Sequence, residues 1–244
     1  MIHILLAAYN EQEALGNVMA AISHVLDPSL LKVWVVDDGS GDRTVQVAES
    51  WRGKISLELI RHLKNQGLGA ALRTGFSAMA PFLSGTDIVV TLDADNTHSP
   101  AQIPAMVRLI ENGRADLVVA SRFVRGAQVT GVPAYRRLLS ECAALVFKML
   151  IPIRGLKDYT CGFRCYKGAL VKRMMDKWPL MVSETGFAAS AELVVKAGSF
   201  QPRVVEVPLN LRYDQKPTAS KMRVGSTIVR NLAVAIRLRK RIKS

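Results

Sequence analysis

The sequence predicts an α/β fold in which helices cover both faces of a mostly parallel sheet. Short aliphatic runs alternate with helical segments from the N-terminus to Ser121. These runs lack polar alternation, which is typical of parallel strands buried on both faces. Acidic and polar residues accumulate after four of the runs, and ligands of such sheets bind beyond the carboxyl ends of the strands. The four chain segments concerned are "AAYNE", "VVDDGSGDRT", "TLDADNTH" and "ASRF".

The first half of the chain contains five predicted strands and four predicted helices, with crossovers of the usual right hand. The strands are Ile2–Ala7, Lys32–Val36, Ile55–Ile60, Ile88–Leu92 and Asp116–Ala120, and the helices lie near Glu11–Leu26, Asp42–Trp51, Leu68–Met79 and Pro100–Asn112. Asn10 and Ser99 are candidate N-caps, and Pro100 suits a first helical position.

The alternation stops after Arg122, and mostly helices and loops are expected there. The predicted elements are a loop over 124–133, helices near Ala134–Leu150, Ala169–Lys177 and Phe187–Ala197, a loop "GLKDYTCGFRCYKG", a strand "RVVEVPL", and a last helix from about Gly225 to Lys240.

The composition is that of one globular domain, with 244 residues of which 49% are hydrophobic. Three cysteines are an odd number without a disulfide framework, so we expect a reducing, cytoplasmic compartment. Two of them, Cys161 and Cys165, are four residues apart without a second ligand pair, so two ordinary thiols are favoured over a zinc site. No signal peptide and no apolar run long enough to span a membrane is visible.

The net charge of +13 predicts a polyanionic partner. Nucleic acid, an anionic membrane and a phosphorylated substrate all fit this charge. A nucleic-acid-binding protein would need a basic face with stacking aromatic residues or a reading helix. Neither motif is found, so we expect no nucleic acid partner.

The stretch "IVVTLDADNTHSP" ends an apolar run on two carboxylates, Asp93 and Asp95. Such residues also form ordinary turns. Two carboxylates held close together repel unless a cation or a proton lies between them, and hard divalent cations prefer oxygen ligands. Because polar and acidic residues gather at four strand ends, a metal that also binds phosphate oxygens is favoured over a turn.

Two further segments leave alternatives open. Asp37 and Asp38 precede a Gly-Ser-Gly turn, where they either form the turn or bind a base or ribose. Gly67 and Gly69 in "NQGLGAALRTGF" admit either a ligand or a neighbouring chain segment. Neither a dinucleotide fingerprint nor a P-loop is present.

In order along the chain, "AAYNE", "VVDDGSGDRT", "NQGLGAALRTGF", "TLDADNTHSP", "ASRF", "DYTCGFRCY" and "EVP…SK" resemble family 2 glycosyltransferases of the GT-A fold. The resemblance covers nearly the whole chain and is strongest over 5–123. It is greatest to the dolichol-phosphate mannose synthase branch, which makes polyprenyl-phosphate sugars. It implies a Rossmann-like, mostly parallel sheet with acceptor-side helices toward the C-terminus.

This resemblance also implies a role for individual residues. Those expected to bind the nucleotide sugar are Ala7, Tyr9, Glu11, Val36, Asp38, Asp93, Ala94, Arg212 and Lys221. Asp93 and Asp95 would hold Mg²⁺ or Mn²⁺, with Thr97 where the family usually has a third ligand, glutamine. Arg122 would lie near the diphosphate or the sugar, and Arg136 and Ser140 would receive a lipid phosphate. Lys216 is a second candidate for the role given to Arg212.

The resemblance implies an inverting, metal-dependent transfer of a hexose, with GDP-mannose as donor and a polyprenyl or dolichyl phosphate as acceptor. A phosphate acceptor is already anionic, whereas a hydroxyl acceptor would require a general base. The acids in the acceptor half that could act as this base are Asp158, Glu184 and Glu192, although Glu192 is equally explained as a capping or ion-paired acid. Alternatives are a UDP-sugar transferase with a sugar or other hydroxyl acceptor in cell-envelope glycan synthesis, and a non-catalytic nucleotide-sugar-binding subunit.

We expect one domain in three parts: a nucleotide-sugar half (1–123), an acceptor half (124–224) and a basic amphipathic helix (225–244). Ile228, Leu232, Ala235 and Ile236 recur at helical spacing in the last part, beside arginines. This helix either lies on an anionic membrane surface or packs on the domain. The first alternative makes the protein peripherally membrane-associated, with or without a membrane-anchoring partner.

Overall fold

A computed structural model describes residues 1–186, 188–215 and 234–239 of the chain. It confirms the α/β class, with a seven-stranded sheet between helices. The strands are β1 (Ile2–Ala8), β2 (Leu31–Asp37), β3 (Ser56–Arg61), β4 (Ile88–Asp93), β5 (Leu117–Ser121), β6 (Gln128–Thr130), β7 (Arg164–Lys167), β8 (Val204–Pro208) and β9 (Asn210–Arg212). The α-helices are α1 (Leu15–Val25), α2 (Thr44–Glu49), α3 (Leu68–Met79), α4 (Ile103–Glu111), α5 (Ala134–Leu150), α6 (Gly168–Lys177) and α7 (Ala188–Gly198).

The sheet has the strand order β3-β2-β1-β4-β7-β5-β8. All neighbouring pairs are parallel except those that β7 makes with β4 and β5. Successive side chains of β1 point to opposite faces, so Leu5 joins one hydrophobic core while Ile4 and Leu6 join the other. This burial on both faces explains the uninterrupted aliphatic runs of the predicted strands.

The segment "GLKDYTCGFRCYKG" was predicted as a loop, and this prediction is wrong for its second half. Arg164–Lys167 forms β7, in which Arg164 is paired with Thr91 of β4 and Val119 of β5. Four residues that include an arginine carry no strand periodicity. The strand exists because two flanking strands leave a gap in the sheet that these backbone groups fill.

Three other expectations are corrected. Asn10 does not cap α1, which begins at Leu15; instead Asn10 has a φ of 53° and its side-chain oxygen accepts the N–H of Gly41 at 2.9 Å. Ser99 precedes a short 3₁₀ turn that begins at Pro100, but its side chain caps nothing. The loop over 124–133 contains β6, which pairs with β9 in a small parallel sheet.

The described part of the C-terminal helix packs on the domain. Within residues 234–239, Val234, Ala235 and Leu238 are buried in the main core, while Ile236 is 46% exposed. Packing on the domain, one of the two expected arrangements, therefore holds for this stretch. No helix among the described residues is both long and apolar enough to cross a membrane.

Candidate active site

The carboxyl ends of the central strands bring the predicted site residues to one edge of the sheet. Ala7 at the end of β1 lies opposite Val36 of β2 and Asp93 of β4. Because β7 runs antiparallel to its neighbours, its first residue, Arg164, lies near the same edge. The chain leading into β7, with Asp158, is therefore close to the ends of the parallel strands.

Hydrogen bonds within the D-x-D segment orient the Asp95 carboxylate and hold the main chain at Asp93. Asp95 Oδ1 accepts the main-chain N–H of Thr97 at 3.1 Å and the Thr97 hydroxyl at 2.6 Å. Asn96 between them takes a left-handed backbone, with φ of 62°. Asp93 ends β4, its N–H donates to His98 Nδ1 at 3.3 Å, and its side chain is 41% exposed. The turn thus leaves the Asp93 carboxylate accessible at the site.

The donor set fits a divalent metal ion. The Asp93 and Asp95 carboxylates are the hard oxygen ligands that Mg²⁺ and Mn²⁺ accept. Among the described residues, no three His, Cys, Asp or Glu side chains cluster for a metal, so other positions would fall to oxygens of water or a bound ligand. Gly162 lies beside this pair: a Cβ added there would be 3.3 Å from Asp93 Oδ1. The hydroxyl of Thr97 donates to Asp95, and its role as a metal ligand stays a prediction.

Asp38 organises the loop between β3 and α3. Its Oδ1 accepts the N–H of Gln66 at 3.0 Å and lies 2.7 Å from His62 Nδ1, and its Oδ2 accepts the N–H of Gly67 at 2.7 Å. Of the two acids, Asp37 forms the turn, since its Oδ2 accepts the N–H of Ser40 at 3.3 Å, whereas Asp38 holds a neighbouring loop. A contact of Asp38 with a nucleoside stays a prediction.

The glycines of "NQGLGAALRTGF" admit a neighbouring chain segment. Gly67 has a φ of 89°, a conformation that favours glycine. A Cβ on Gly69 would lie 1.7 Å from the main-chain oxygen of Glu184. Close approach of the 183–186 segment therefore explains Gly69.

The other residues expected to bind the nucleotide differ in burial. Tyr9 follows β1 and is half-buried, whereas Glu11 is 7% exposed and borders a cleft of about 230 Å³ together with Gln12 and Asp42. The side chains of Val36 and Ala94 are buried in the two cores, and Ala7 is partly buried. Their contact with a nucleotide stays a prediction.

Arg122, which follows β5, is held by Asp158. The guanidinium donates to both oxygens of this fully buried carboxylate, at 2.8 and 2.7 Å. Burial by itself would raise the pKa of Asp158, but the charge and hydrogen bonds of Arg122 hold this pKa below its usual value. Arg122 Nη1 also donates to the Ser140 hydroxyl at 3.2 Å. Two of the predicted catalytic residues therefore meet, and Arg136 stands one helical turn before Ser140 in α5.

The other two candidate bases, Glu192 and Glu184, also have cationic partners. Glu192 lies 2.7 Å from the Lys196 ammonium and accepts three hydrogen bonds from Ser183 and Glu184. Burial would raise the pKa of Glu192, but the hydrogen bonds from Lys196 and Ser183 lower it. Glu184 lies 2.6 Å from Arg237 of the C-terminal segment. Glu192 is therefore an ion-paired, loop-holding acid, the alternative to a catalytic base.

Of the three basic residues assigned to the closing loop, only Arg212 is among the described residues. The Arg212 side chain pairs with Asp214 at 2.8 Å, and the Arg212 N–H donates to the Thr97 main chain at 2.9 Å. This arrangement places β9 against the D-x-D turn. Lys216 and Lys221 lie outside the described residues, as do Ile228 and Leu232.

Sequence analysis did not single out His62, His98 or Arg164. His62 links Asp38 to the Thr74 hydroxyl, and His98 stacks on Phe163 with ring centroids 5.4 Å apart. Arg164 is 1% exposed, although arginine is rarely buried. A polar residue inside "TCGFRCY", between two apolar positions, was the available signal.

Known proteins share this sequence pattern and this architecture. Residues 3–177 match the family described as glycosyl transferase family 2. A dolichol-phosphate mannosyltransferase of Pyrococcus furiosus is 33% identical over 240 residues, which cover 98% of this chain and 64% of that protein. A polyprenol monophosphomannose synthase of Mycolicibacterium smegmatis is 29% identical, covering 92% of this chain and 82% of the relative. The chain thus spans less than two thirds of the first of these relatives.

Solved structures agree with the fold. A glucosyl-3-phosphoglycerate synthase from Mycobacterium tuberculosis, in complex with Mn²⁺, UDP and phosphoglyceric acid, superposes with a TM-score of 0.70 at 20% identity. The match covers 98% of this chain and 78% of that one. S. aureus TarS 1–349 gives 0.61 at 19% identity, covering 96% and 65%. The architecture is the GT-A fold that the motifs implied, and the chain belongs to glycosyl transferase family 2.

Proposed function

We propose that this protein transfers a hexose from a nucleotide sugar to a polyprenyl phosphate, with inversion at the sugar and with GDP-mannose as the donor. The observation that carries the proposal is the state of the three acids named above as candidate bases. Asp158, Glu184 and Glu192 each lie within 2.7 Å of a cationic side chain. A carboxylate paired in this way is a poor general base, because proton uptake would break the ion pair. An acceptor that is already ionised needs no such base.

Arg122 supports the same acceptor. Its fork is anchored on Asp158, and Nη1 is directed to Ser140 on α5. Arginine binds phosphate through planar, charge-assisted hydrogen bonds, and a hydroxyl adds a neutral donor. Arg136 lies one helical turn from Ser140. Together, Arg122, Arg136 and Ser140 would bind the acceptor phosphate and orient it toward the sugar carbon that it attacks.

The donor would occupy the carboxyl ends of β1, β2 and β4, in the half formed by residues 1–123. Asp93 and Asp95 would hold Mg²⁺ or Mn²⁺, which when bound supplies positive charge for the leaving nucleoside diphosphate. Tyr9 and Glu11 border the space for the nucleoside. Lys221 and Arg212 would approach the diphosphate from the segment after β9.

The relatives favour a lipid acceptor over a sugar hydroxyl. The names of both curated relatives describe mannose transfer to a polyprenyl or dolichyl phosphate. Three large side chains on α5 are exposed by more than half: Tyr135, Leu145 and Met149. They lie on the helix that carries Ser140, and with the net charge of +13 they suit an enzyme acting at an anionic membrane surface.

The test is transfer from radiolabelled GDP-mannose and UDP-glucose to a short polyprenyl phosphate, with Mn²⁺, with Mg²⁺ and with a chelator. We expect label from GDP-mannose in the organic phase that depends on the metal. Asp116→Asn serves as a control, because Asp116 pairs with Arg203 near the opposite end of β5.

Label from UDP-glucose alone would change the donor and leave the acceptor as proposed. Hydrolysis without a lipid product would contradict the acceptor. Binding of neither nucleotide sugar at any metal concentration would contradict the site at Asp93 and Asp95.

A further inference from the structure

A buried arginine lies directly behind the D-x-D site. Arg164 is 1% exposed, and its guanidinium donates to the main-chain oxygens of Ser190 at 2.5 Å and Tyr159 at 2.9 Å. Its Nε makes no hydrogen bond to any described protein atom. Among the described residues, no carboxylate lies within ion-pair distance of it. Its Nη1 also donates to the Tyr166 hydroxyl at 3.4 Å. A guanidinium keeps its charge in proteins, so Arg164 is a buried cation whose Nε has no hydrogen-bond partner among the described residues.

Arg164 borders a cavity of about 20 Å³ that it shares with Asp93. Polar neighbours in the lining are Thr91 and Ser190. Gly162 completes this wall: a Cβ on it would lie 3.3 Å from Asp93 Oδ1 and 3.5 Å from Ser190 Oγ. The cavity therefore connects the buried cation to the Asp93 carboxylate.

The size and the lining of the cavity suit one water molecule. A water molecule requires about 10–15 Å³ of accessible cavity volume and two to four polar partners. The donor at Arg164 Nε and the acceptor at Asp93 Oδ1 are complementary, and the hydroxyls of Thr91 and Ser190 complete the set. Thr91 Oγ1 donates to the Gly162 oxygen at 2.7 Å and so retains its capacity to accept.

The geometry points to a single buried water that links Arg164 to Asp93, which makes Arg164 a positioning residue for the metal-binding carboxylate. The water accepts from Arg164 Nε and donates to Asp93. Partners behind a metal ligand fix its orientation, and their loss costs about 10–100-fold in metal affinity. This inference rests on the proposed function only through the metal at Asp93, and the water can be observed without it.

The test combines Mn²⁺ titration, followed by the electron paramagnetic resonance of free Mn²⁺, with a high-resolution crystal structure of the wild-type protein. Titrations are made with Mn²⁺ alone and with GDP or UDP. We expect Arg164→Lys, which keeps the charge but removes Nε, and Gly162→Ala, which fills the cavity, to weaken Mn²⁺ binding by about 10–100-fold. Gly85→Ala is the matched control, since its Cβ would meet only Ala169 at 3.7 Å.

The crystal structure should contain one water within hydrogen-bond distance of Arg164 Nε and an Asp93 oxygen. A cavity without such a water, or wild-type Mn²⁺ affinity in both variants, would overturn the inference. If Arg164→Lys does not fold, Gly162→Ala and the crystal structure decide. If the wild-type protein binds no Mn²⁺, the proposed function is contradicted. If the wild-type protein binds Mn²⁺ and Gly162→Ala binds it equally tightly, only the present inference is contradicted.

Discussion

Asp158 accepts three hydrogen bonds from Arg122, two from the guanidinium and one from the main-chain N–H at 3.1 Å. The carboxylate is fully buried, and the arginine side chain is 21% exposed. Asp158 thus neutralises Arg122 and also directs the Arg122 guanidinium toward Ser140. The orientation of Arg122 at the end of β5 therefore depends on Asp158, which lies 36 positions later in the chain.

Replacing Asp158 should therefore damage both stability and activity. Asp158→Asn leaves the buried part of the guanidinium without its counter-charge, and breaking such a pair costs about 3–5 kcal/mol. Urea unfolding measures the loss, with Asp116→Asn as the matched control in an exposed pair. Equal unfolding free energies for the two variants would show that the Arg122–Asp158 pair does not hold this part of the fold.

The two carboxylates proposed to bind the metal should be essential for transfer but dispensable for folding. Asp93→Asn and Asp95→Asn should each lower kcat/KM by about 10²–10³-fold, as expected when one electrostatic stabiliser of a transition state is lost. Assays across a Mn²⁺ range measure this, with circular dichroism to confirm the fold. Activity of Asp93→Asn that is close to wild-type and insensitive to chelator would contradict the metal site.

Substitutions on the acceptor side should change the KM for the acceptor and leave the KM for the donor near its wild-type value. Ser140→Ala and Arg136→Ala should raise the KM for polyprenyl phosphate by about 10-fold or more, because a hydrogen bond to a charged group contributes about 1.5–3 kcal/mol. The KM for the nucleotide sugar should stay near wild-type. Arg137→Ala is the matched control, since Arg137 lies outside the R-x-x-x-S spacing. A rise in donor KM alone would move these residues to the other half of the site.

Stability should fall at acidic pH because buried carboxylates have lowered pKa values. Asp158 and Glu192 both have pKa values below the usual ones in the folded protein. Between those values and the unfolded values near about 4, the unfolded chain binds more protons, so the free energy of unfolding decreases as the pH drops. Urea unfolding from about pH 6 to pH 3 measures the slope. Glu192→Gln should decline less steeply, and a slope as steep as wild-type would show that Glu192 does not contribute.

Substitutions in the C-terminal helix should destabilise the protein only where they affect its buried side. Leu238 is 2% exposed and Ile236 is 46% exposed. Leu238→Ala should cost about 2–5 kcal/mol, the range for large-to-small changes in a core, while Ile236→Ala should cost much less. Thermal and urea unfolding compare the two. Similar small effects would mean that this helix contributes little to the core in solution.

Local sequence patterns are enough to predict the sheet class and the edge of the sheet at which the D-x-D residues lie. Aliphatic runs without polar alternation report burial on both faces, which is a local property of each segment. The rule that ligands bind at the carboxyl ends then located Asp93 and Asp95 without any coordinates. Arg122 and Ser140 came from motif resemblance, and the structure brings them to 3.2 Å.

The contacts of the buried polar residues could not be predicted without the folded structure. Nothing near Arg164 in the sequence indicates a strand, because its pairing partners, Thr91 and Val119, are distant in the chain. Likewise, the sequence left Glu192 either a catalytic base or an ion-paired acid, and the Lys196 contact decides it. The physical reason is the same in both cases. Hydrophobic periodicity is a property of each local segment of the sequence. The partner of a buried charge, by contrast, depends on which distant segments the fold brings together.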